Sequence, residues 1–195
     1  MGQRHQIYVG EKKNGKYRAI SAHHHQWKYG LPVVYALTRL VKLIEGAVSD
    51  KDDFNYSFRD HRELNTVVTA AYGIGIDGYV SMVHNESTEG YLINEERTKF
   101  QPCNGDNNEG CSIVLIDRDK KEVRACFFSF HGIEGRHTKG LKNWTAYDRK
   151  KWLSFYHTDK ELNEDKEDAE LVKSILDQKV KLLSTAELLK ITSKK

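Results

Sequence analysis

Residues 4–26 read RHQIYVGEKKNGKYRAISAHHHQ, a pattern typical of a β-hairpin. At its centre lies Asn14-Gly15, the dipeptide most typical of a type I′ turn, because that turn needs a positive φ at both central residues. Residue types common in strands flank the turn on both sides. We therefore expect two antiparallel strands, over residues 4–11 and 18–25.

The register of this hairpin predicts that two histidines face each other. With Asn14 and Gly15 as the loop, the numbers of paired residues have a constant sum. The expected pairs are Val9 with Ile20, Ile7 with Ala22, His5 with His24 and Gln3 with Gln26. Side chains alternate along a strand, so these residues share one face, and the apolar pairs mark it as the buried face. The other face is expected to carry polar residues and a partly exposed strand end: Arg4, Gln6, Tyr8, Ser21, His23 and His25.

The expected contact between His5 and His24 indicates a site. Directly opposed strand residues have Cβ atoms roughly 4.5–5.5 Å apart. At that distance two imidazoles are able to share a metal, a proton or an anionic ligand. The structural alternative is that this pair only ends the sheet, with hydrogen bonds to Gln26, to the backbone or to water.

The rest of the chain predicts further helices and strands. Apolar residues at helical spacing favour helices over 31–46 and 61–73, and β-rich runs favour strands over 79–83, 112–116 and 123–128. Charged helices are expected over 145–156, 165–183 and 185–191. The predicted fold is α+β: a small, mostly antiparallel sheet opened by the hairpin, with helices packed on it. We expect a core domain over 1–145 and a charged helical C-terminal extension over 146–195, which would form an appendage or a partner surface.

Composition limits the classes of partner. The chain has 195 residues with 31 basic and 28 acidic side chains, a balance that does not indicate nucleic-acid binding. The three cysteines form no CxxC pair and no secretory segment opens the chain, which predicts a reducing cytoplasm. No apolar run approaches the ~18 residues that would span a membrane.

A second polar segment leads into the predicted strand at 112–116. Asp106, Asn107 and Asn108 belong to a short loop rich in Asp and Asn, which we call the Asx loop (residues 104–110). Such loops bind cations or present polar groups, although they also serve as turns that satisfy backbone groups. Near the hairpin, Trp27 offers stacking surface for a ring, and Arg4 offers positive charge for an anion.

Three motifs resemble a family of small uncharacterised proteins from phage and fungal genomes. They are GQRHQ at 2–6, HHQWKYG at 24–30 and DNNEG at 106–110. That family has no activity to transfer. The resemblance implies that the hairpin and the Asx loop belong to one site, and a phage origin would imply the host cytoplasm and a host-directed or defence-countering role.

Together these features predict a hydrolase or phosphoesterase-like enzyme acting on a nucleotide or another anionic substrate. The expected catalytic residues are His5, His24 and Asp106. The expected ligand-binding residues are Gln3, Arg4, Gln26, Trp27, Asn107 and Asn108. A divalent metal is compatible with this chemistry. Two alternatives stay open: a non-catalytic module that binds a nucleotide or docks on a host protein, and a structural or assembly protein whose C-terminal helices are the interaction surface.

Overall fold

A computed structural model describes the hairpin, parts of the helical layer and most of the central sheet. The described residues are 4–26, 31–49, 58, 61–72, 80–82, 93–94, 96–101, 111–128 and 180–192. The elements within them are β1 (Arg4–Lys13), β2 (Lys16–Gln26), α1 (Leu31–Ser49), α2 (His61–Tyr72), β3 (Val80–Met82), β4 (Cys111–Asp117), β5 (Glu122–Phe128), β6 (Lys181–Leu182) and α3 (Thr185–Ile191).

The fold is α+β, as predicted, around a six-stranded sheet with the order β3-β2-β1-β4-β5-β6. The sheet is mixed, so the expectation of a mostly antiparallel sheet is wrong. β1 runs parallel to β4, and β5 runs parallel to β6. The long connection from β2 to β4 carries two helices, and a connection of that length lets the chain return beside β1 in the same direction.

The hairpin turn forms as predicted, with positive φ at Asn14 (52°) and Gly15 (72°). The predicted pairing holds from the turn to Gly10, which lies opposite Ala19. Beyond that point the register shifts, and Val9 pairs with Ser21 because Ile20 is an extra residue on β2. This is a β-bulge, in which two residues of one strand oppose a single residue of the other.

The bulge overturns the predicted pairs at the open end of the hairpin. His5 lies opposite His25, and His24 lies opposite Gln6. Both the expected Val9–Ile20 pair and the expected His5–His24 pair are therefore wrong. A single extra residue moves every later residue of β2 to the opposite face.

A distant segment stabilises the bulge. Arg97 donates from Nη2 to the carbonyl oxygen of Ile20 at 2.9 Å, and its own carbonyl oxygen accepts from the amide of Ala19 at 2.7 Å. Buried backbone groups need such partners. The turn that contains Arg97 thus bonds to β2 at the bulge.

One face of the sheet packs against α1 and α2. Apolar residues of α1 recur at helical spacing and meet Ile7 and Val9 of β1, as expected. We call this the helix-side core. Its main members are Ile7, Val9, Ile20, Leu37, Leu40, Val41, Ile44, Val48, Phe58, Leu64, Val68, Val114, Ile116, Val123, Ala125 and Phe127.

The opposite face is also buried, which the sequence interpretation missed. Tyr8, expected on a polar face, is fully buried in a second core formed with the 93–101 segment and α3. The members of this second core are Tyr8, Ala19, Ala22, Ile93, Phe100, Cys111, Ile113, Leu115, Cys126, Leu183, Leu188 and Ile191.

The described part of the C-terminal region belongs to this core rather than to an appendage. Residues 181–182 form β6 beside β5, so the predicted helix over 165–183 does not include its last residues. The short helix expected over 185–191 is confirmed as α3. The predicted helix over 145–156 lies outside the described residues. No helix in the described part of the chain is both long and apolar enough to cross a membrane.

Candidate functional site

Several polar segments join the sheet at one end. β1 and β4 begin at this end, and β2 and β5 finish there. Gln6, near the start of β1, pairs with Cys111 at the start of β4, and Cys111 lies opposite Phe128 at the end of β5. We call this the polar end, and its described residues are 4–6, 24–26, 80–82, 111–112 and 127–128. The Asx loop enters β4 directly before Cys111, and the histidine-rich run of β2 finishes at the same end. In the sequence Gln3 directly precedes β1, Trp27 directly follows β2 and the Asx loop directly precedes β4, but all three lie outside the described residues.

His5 lies at the polar end on the face of the helix-side core. It is fully buried, and its Nε2 lies 2.8 Å from Oγ of Ser112 on β4. Its ring stacks on Phe127 of β5, with centroids 5.9 Å apart and planes 19° apart. The histidine is thus positioned by two neighbouring strands. A hydroxyl beside an imidazole is a pair that is able to exchange a proton.

A second histidine–serine pair lies deeper on the same face. His23, expected at a partly exposed strand end, is fully buried, and its Nε2 lies 3.0 Å from Oγ of Ser21. The bulge explains the difference, because it moves both residues to the face of Ile7, which lies opposite His23. Sequence alternation alone could not have identified this pair.

The other face of the polar end carries a small hydrogen-bonded group. The hydroxyl of Tyr8 donates to Oε1 of Gln6 at 2.5 Å, and the thiol of Cys111 lies 3.9 Å from the same oxygen. These side chains are buried, and Tyr8 also packs against Phe100 with ring centroids 5.1 Å apart. Gln6 is therefore part of the second core and not of an exposed polar face.

Some of the predicted site residues lie within the described part of the chain and others do not. The structure brings His5 together with Ser112, which the sequence interpretation did not single out, and the register does not pair His5 with His24. Arg4 and Gln26 lie opposite each other in the backbone register, and their side chains are outside the described part. Five predicted site residues also lie outside the described residues: Gln3, Trp27, Asp106, Asn107 and Asn108. Among the side chains that are described, no group of three or more His, Cys, Asp or Glu residues is arranged to hold a metal ion.

Ion pairs gather at the opposite end of the sheet. Arg124 donates to Oδ2 of the buried Asp117 at 2.5 Å and also binds Glu187 of α3. Glu11 accepts from Arg18 at 3.1 Å and from Arg118 at 3.2 Å. These charges neutralise one another within the fold and link neighbouring strands with α3.

The comparisons with known proteins add no functional assignment. No family of known proteins matches the chain, and neither a curated protein nor a solved structure matches it. The motif resemblance to small phage and fungal proteins therefore stays a prediction.

Proposed function

We propose that this protein is a hydrolase of the phosphoesterase type, acting at the polar end on a nucleotide or another phosphate-bearing substrate. The observation that supports the proposal is the buried pair of His5 and Ser112, 2.8 Å apart, at the end where the Asx loop enters. Histidine is the side chain that changes its protonation most readily near neutral pH.

His5 acts as the general acid–base group in this proposal. Ser112 orients the imidazole across the β1–β4 pair, and stacking on Phe127 limits its rotation. A hydrogen bond and packing hold this base in one orientation, which lowers the entropic cost of positioning it for proton transfer. His24 is left out as its partner because the register pairs His24 with Gln6.

The chemistry of the polar end supports the choice of a phosphate-bearing substrate. None of its described residues is acidic, whereas imidazole, hydroxyl and amide groups are present. These groups are able to donate hydrogen bonds to the oxygens of an anion. Asp106, Asn107 and Asn108, in the loop that enters β4, would supply the remaining polar contacts, with Gln3, Arg4, Gln26 and Trp27 joined to the neighbouring strands.

The test is turnover of phosphomonoesters, phosphodiesters and nucleotides, with and without added divalent metal ions. We expect His5→Gln to lower the rate by about 10²–10⁴-fold, the usual range for loss of an acid–base group. His23→Gln is the matched control, because it also removes a buried histidine that is paired with a serine on the same face. We expect it to lower stability and to leave the rate per folded molecule unchanged.

Three results would contradict the proposal. One is an equal loss of rate in both variants, which would mean that the histidines serve only the fold. Another is wild-type protein that turns over none of these substrates. The third is a phosphate ligand recovered chemically unchanged after long incubation, which would instead make the chain a binding module.

A further inference from the structure

The tip of the β1–β2 hairpin carries a chemically reactive pair of residues, Asn14 and Gly15. Both are exposed, and both have a positive φ, 52° and 72°. In an Asn-Gly pair the backbone nitrogen of the glycine is able to attack the side-chain carbonyl carbon of the asparagine, because glycine has no side chain to obstruct the approach. Asparagine is accordingly among the thermolabile residues of proteins.

This reaction, deamidation, needs no reagent other than water. The nitrogen of Gly15 forms a bond to Cγ of Asn14, and its proton leaves with the side-chain amide nitrogen as ammonia. A five-membered succinimide ring results. Water then opens the ring on one side or the other, which gives either aspartate or isoaspartate at position 14. Both products carry a carboxylate in place of the neutral amide.

Asp119 of the β4–β5 turn holds both backbone amides of the tip. Its carboxylate accepts from the amide of Asn14 at 2.6 Å and from that of Gly15 at 3.0 Å. The attack requires rotation about the Cα–C bond of Asn14, away from the torsion of a type I′ turn. It also requires the nitrogen of Gly15 to lose the proton that Asp119 accepts. These hydrogen bonds must therefore break before the ring closes.

We propose that Asn14 is a site of spontaneous deamidation and that Asp119 slows the reaction by holding the amide of Gly15. A carboxylate beside this nitrogen also disfavours the negatively charged, deprotonated amide that carries out the attack. Asp119 lies 105 residues beyond Asn14, so only the folded chain has this protection. The site is at the end of the sheet opposite the polar end and is independent of the proposed function.

The opposite role for Asp119 would be that of a base that removes the proton of Gly15. The hydrogen bond from Gly15 is the main cause that lowers the pKa of Asp119, and the bonds from Asn14 and Lys12 lower it further. A carboxylate with a lowered pKa is a weak base. The two roles predict opposite effects of removing the charge at this position.

Isoaspartate is the product with the larger consequence for the fold. Its main chain runs through the β-carbon, so one extra carbon atom separates residue 14 from Gly15. A two-residue type I′ turn matches the twist of its strands only with a normal backbone. Molecules that have formed isoaspartate therefore lose the fit of the two amides to Asp119, and the link between the two turns weakens.

The experiment follows deamidation of the folded full-length chain at neutral pH by mass spectrometry. Chymotrypsin cleaves after Tyr8 and Tyr17, so digestion releases the segment 9–17, in which Asn14 is the only asparagine. We expect Asp119→Asn to speed the reaction at Asn14 by roughly 3–10-fold, since two hydrogen bonds to a charged, exposed group no longer hold the turn. Lys120→Gln, in the same turn, is the matched control and should leave the rate unchanged.

A second Asn-Gly pair, Asn104-Gly105, gives an internal reference in the same samples, and it lies outside the described residues. Its rate should be the same in wild type and in Asp119→Asn, because the restraint acts on the hairpin tip. A faster reaction at both pairs would show that the variant loosens the whole fold, which overturns a local role for Asp119.

A measurement on wild-type protein alone covers the case in which Asp119→Asn fails to fold. Deamidation at Asn14 is followed in the native protein and in guanidinium chloride, and we expect the native rate to be lower. Equal rates in the two states overturn the proposal, as does an unchanged rate in folded Asp119→Asn. A slower reaction in that variant also overturns it, because Asp119 would then act as the base.

Discussion

At the scale of single residues, Gly10 shows how a distant side chain determines what a strand tolerates. A Cβ at this position would lie 2.8 Å from Cζ of Phe100 and 2.9 Å from the carbonyl oxygen of Arg18. The first contact is with the buried ring of Phe100 and the second is with the backbone of β2. Neither group is able to move away without disturbing the packing around it. Glycine is needed here because the ring of Phe100 closely approaches the backbone beside the bulge.

We predict that Gly10→Ala destabilises the protein by about 1–3 kcal/mol, the usual cost of overpacking. Gly46→Ala is the control, because it lies within α1 and a Cβ there would meet open space. That substitution should stabilise the protein by roughly 0.5–1 kcal/mol through helix propensity. Urea unfolding measures both changes. A neutral Gly10→Ala would mean that Phe100 does not pack against β1.

At the scale of elements, Asp119 joins the β1–β2 turn and the β4–β5 turn, which lie at the end of the sheet opposite the polar end. Its carboxylate accepts from the amides of Asn14 at 2.6 Å and Gly15 at 3.0 Å, and Lys12 lies 3.5 Å away. The hydrogen bond from Gly15 is the main cause that lowers the pKa of Asp119. The β4–β5 turn thus fastens the tip of the β1–β2 hairpin.

We predict that Asp119→Asn speeds hydrogen exchange at the amides of Asn14 and Gly15. A charged carboxylate holds these amides more strongly than a neutral amide oxygen does. Because the folded pKa lies below the ordinary value, the contact is present above that value and is lost as the pH falls through the folded pKa. Lys120→Gln, in the same turn, is the control. Unchanged exchange in Asp119→Asn would show that the tip is held by the turn alone.

The start of α3 carries a capping box, in which Ser184 is the N-cap residue and Glu187 is its partner. Burial raises the pKa of Glu187, but the hydrogen bonds from Arg124 and Ser184 outweigh it and lower that pKa to about 2. Glu187 thereby links the start of α3 to β5. The same carboxylate caps the helix and neutralises Arg124.

We predict that Glu187→Gln lowers the free energy of unfolding by about 1.5–3 kcal/mol at neutral pH, where a charged hydrogen bond is lost. The pKa of Glu187 is ordinarily 4.5 and is about 2 in the folded protein. The stability difference between wild type and Glu187→Gln is therefore complete above pH 4.5 and disappears as the pH falls towards 2. Urea unfolding from pH 7 down to acid measures this difference. Glu45→Gln on α1 is the control, since a surface pair contributes only ~0–1 kcal/mol.

At the scale of the whole molecule, the C-terminal segment completes the second core. The amide of Leu183 donates to the carbonyl oxygen of Ala125 at 2.8 Å, and the amide of Phe100 donates to that of Ile191 at the same distance. Residues 180–192 therefore connect β5 with the 93–101 segment. Without them the second face of the sheet would lose the apolar side chains of α3 that cover it.

We predict that Leu183→Ala costs about 2–5 kcal/mol, as for other large-to-small core substitutions. Leu182→Ala is a close control, because this neighbour is 38% exposed whereas Leu183 is 1% exposed. It should change stability by about 0.5 kcal/mol or less. Thermal and urea unfolding distinguish the two variants. Equally small effects of both would mean that residues 180–192 do not contribute to the second core.

Much of the fold followed from local patterns, and less of the site did. Positive φ at Asn14 and Gly15, the helical spacing in α1 and the short helix α3 all depend on residues close in sequence. The histidine pairing failed because it assumed a regular strand between the turn and His5. Nothing near Ile20 in the sequence signals an extra residue there.

The amino-acid sequence by itself determined the α+β class, the helices α1, α2 and α3, the type I′ turn and the burial of the Ile7 face, because short-range sterics and periodic hydrophobicity act within each segment. Only the tertiary structure decided the register at the polar end, the parallel pairing of β1 with β4 and the burial of Tyr8. The bulge is held by Arg97, 77 residues beyond Ile20 in the chain. Contacts of that range form only when the chain has folded, and they decide which histidine lies opposite His5.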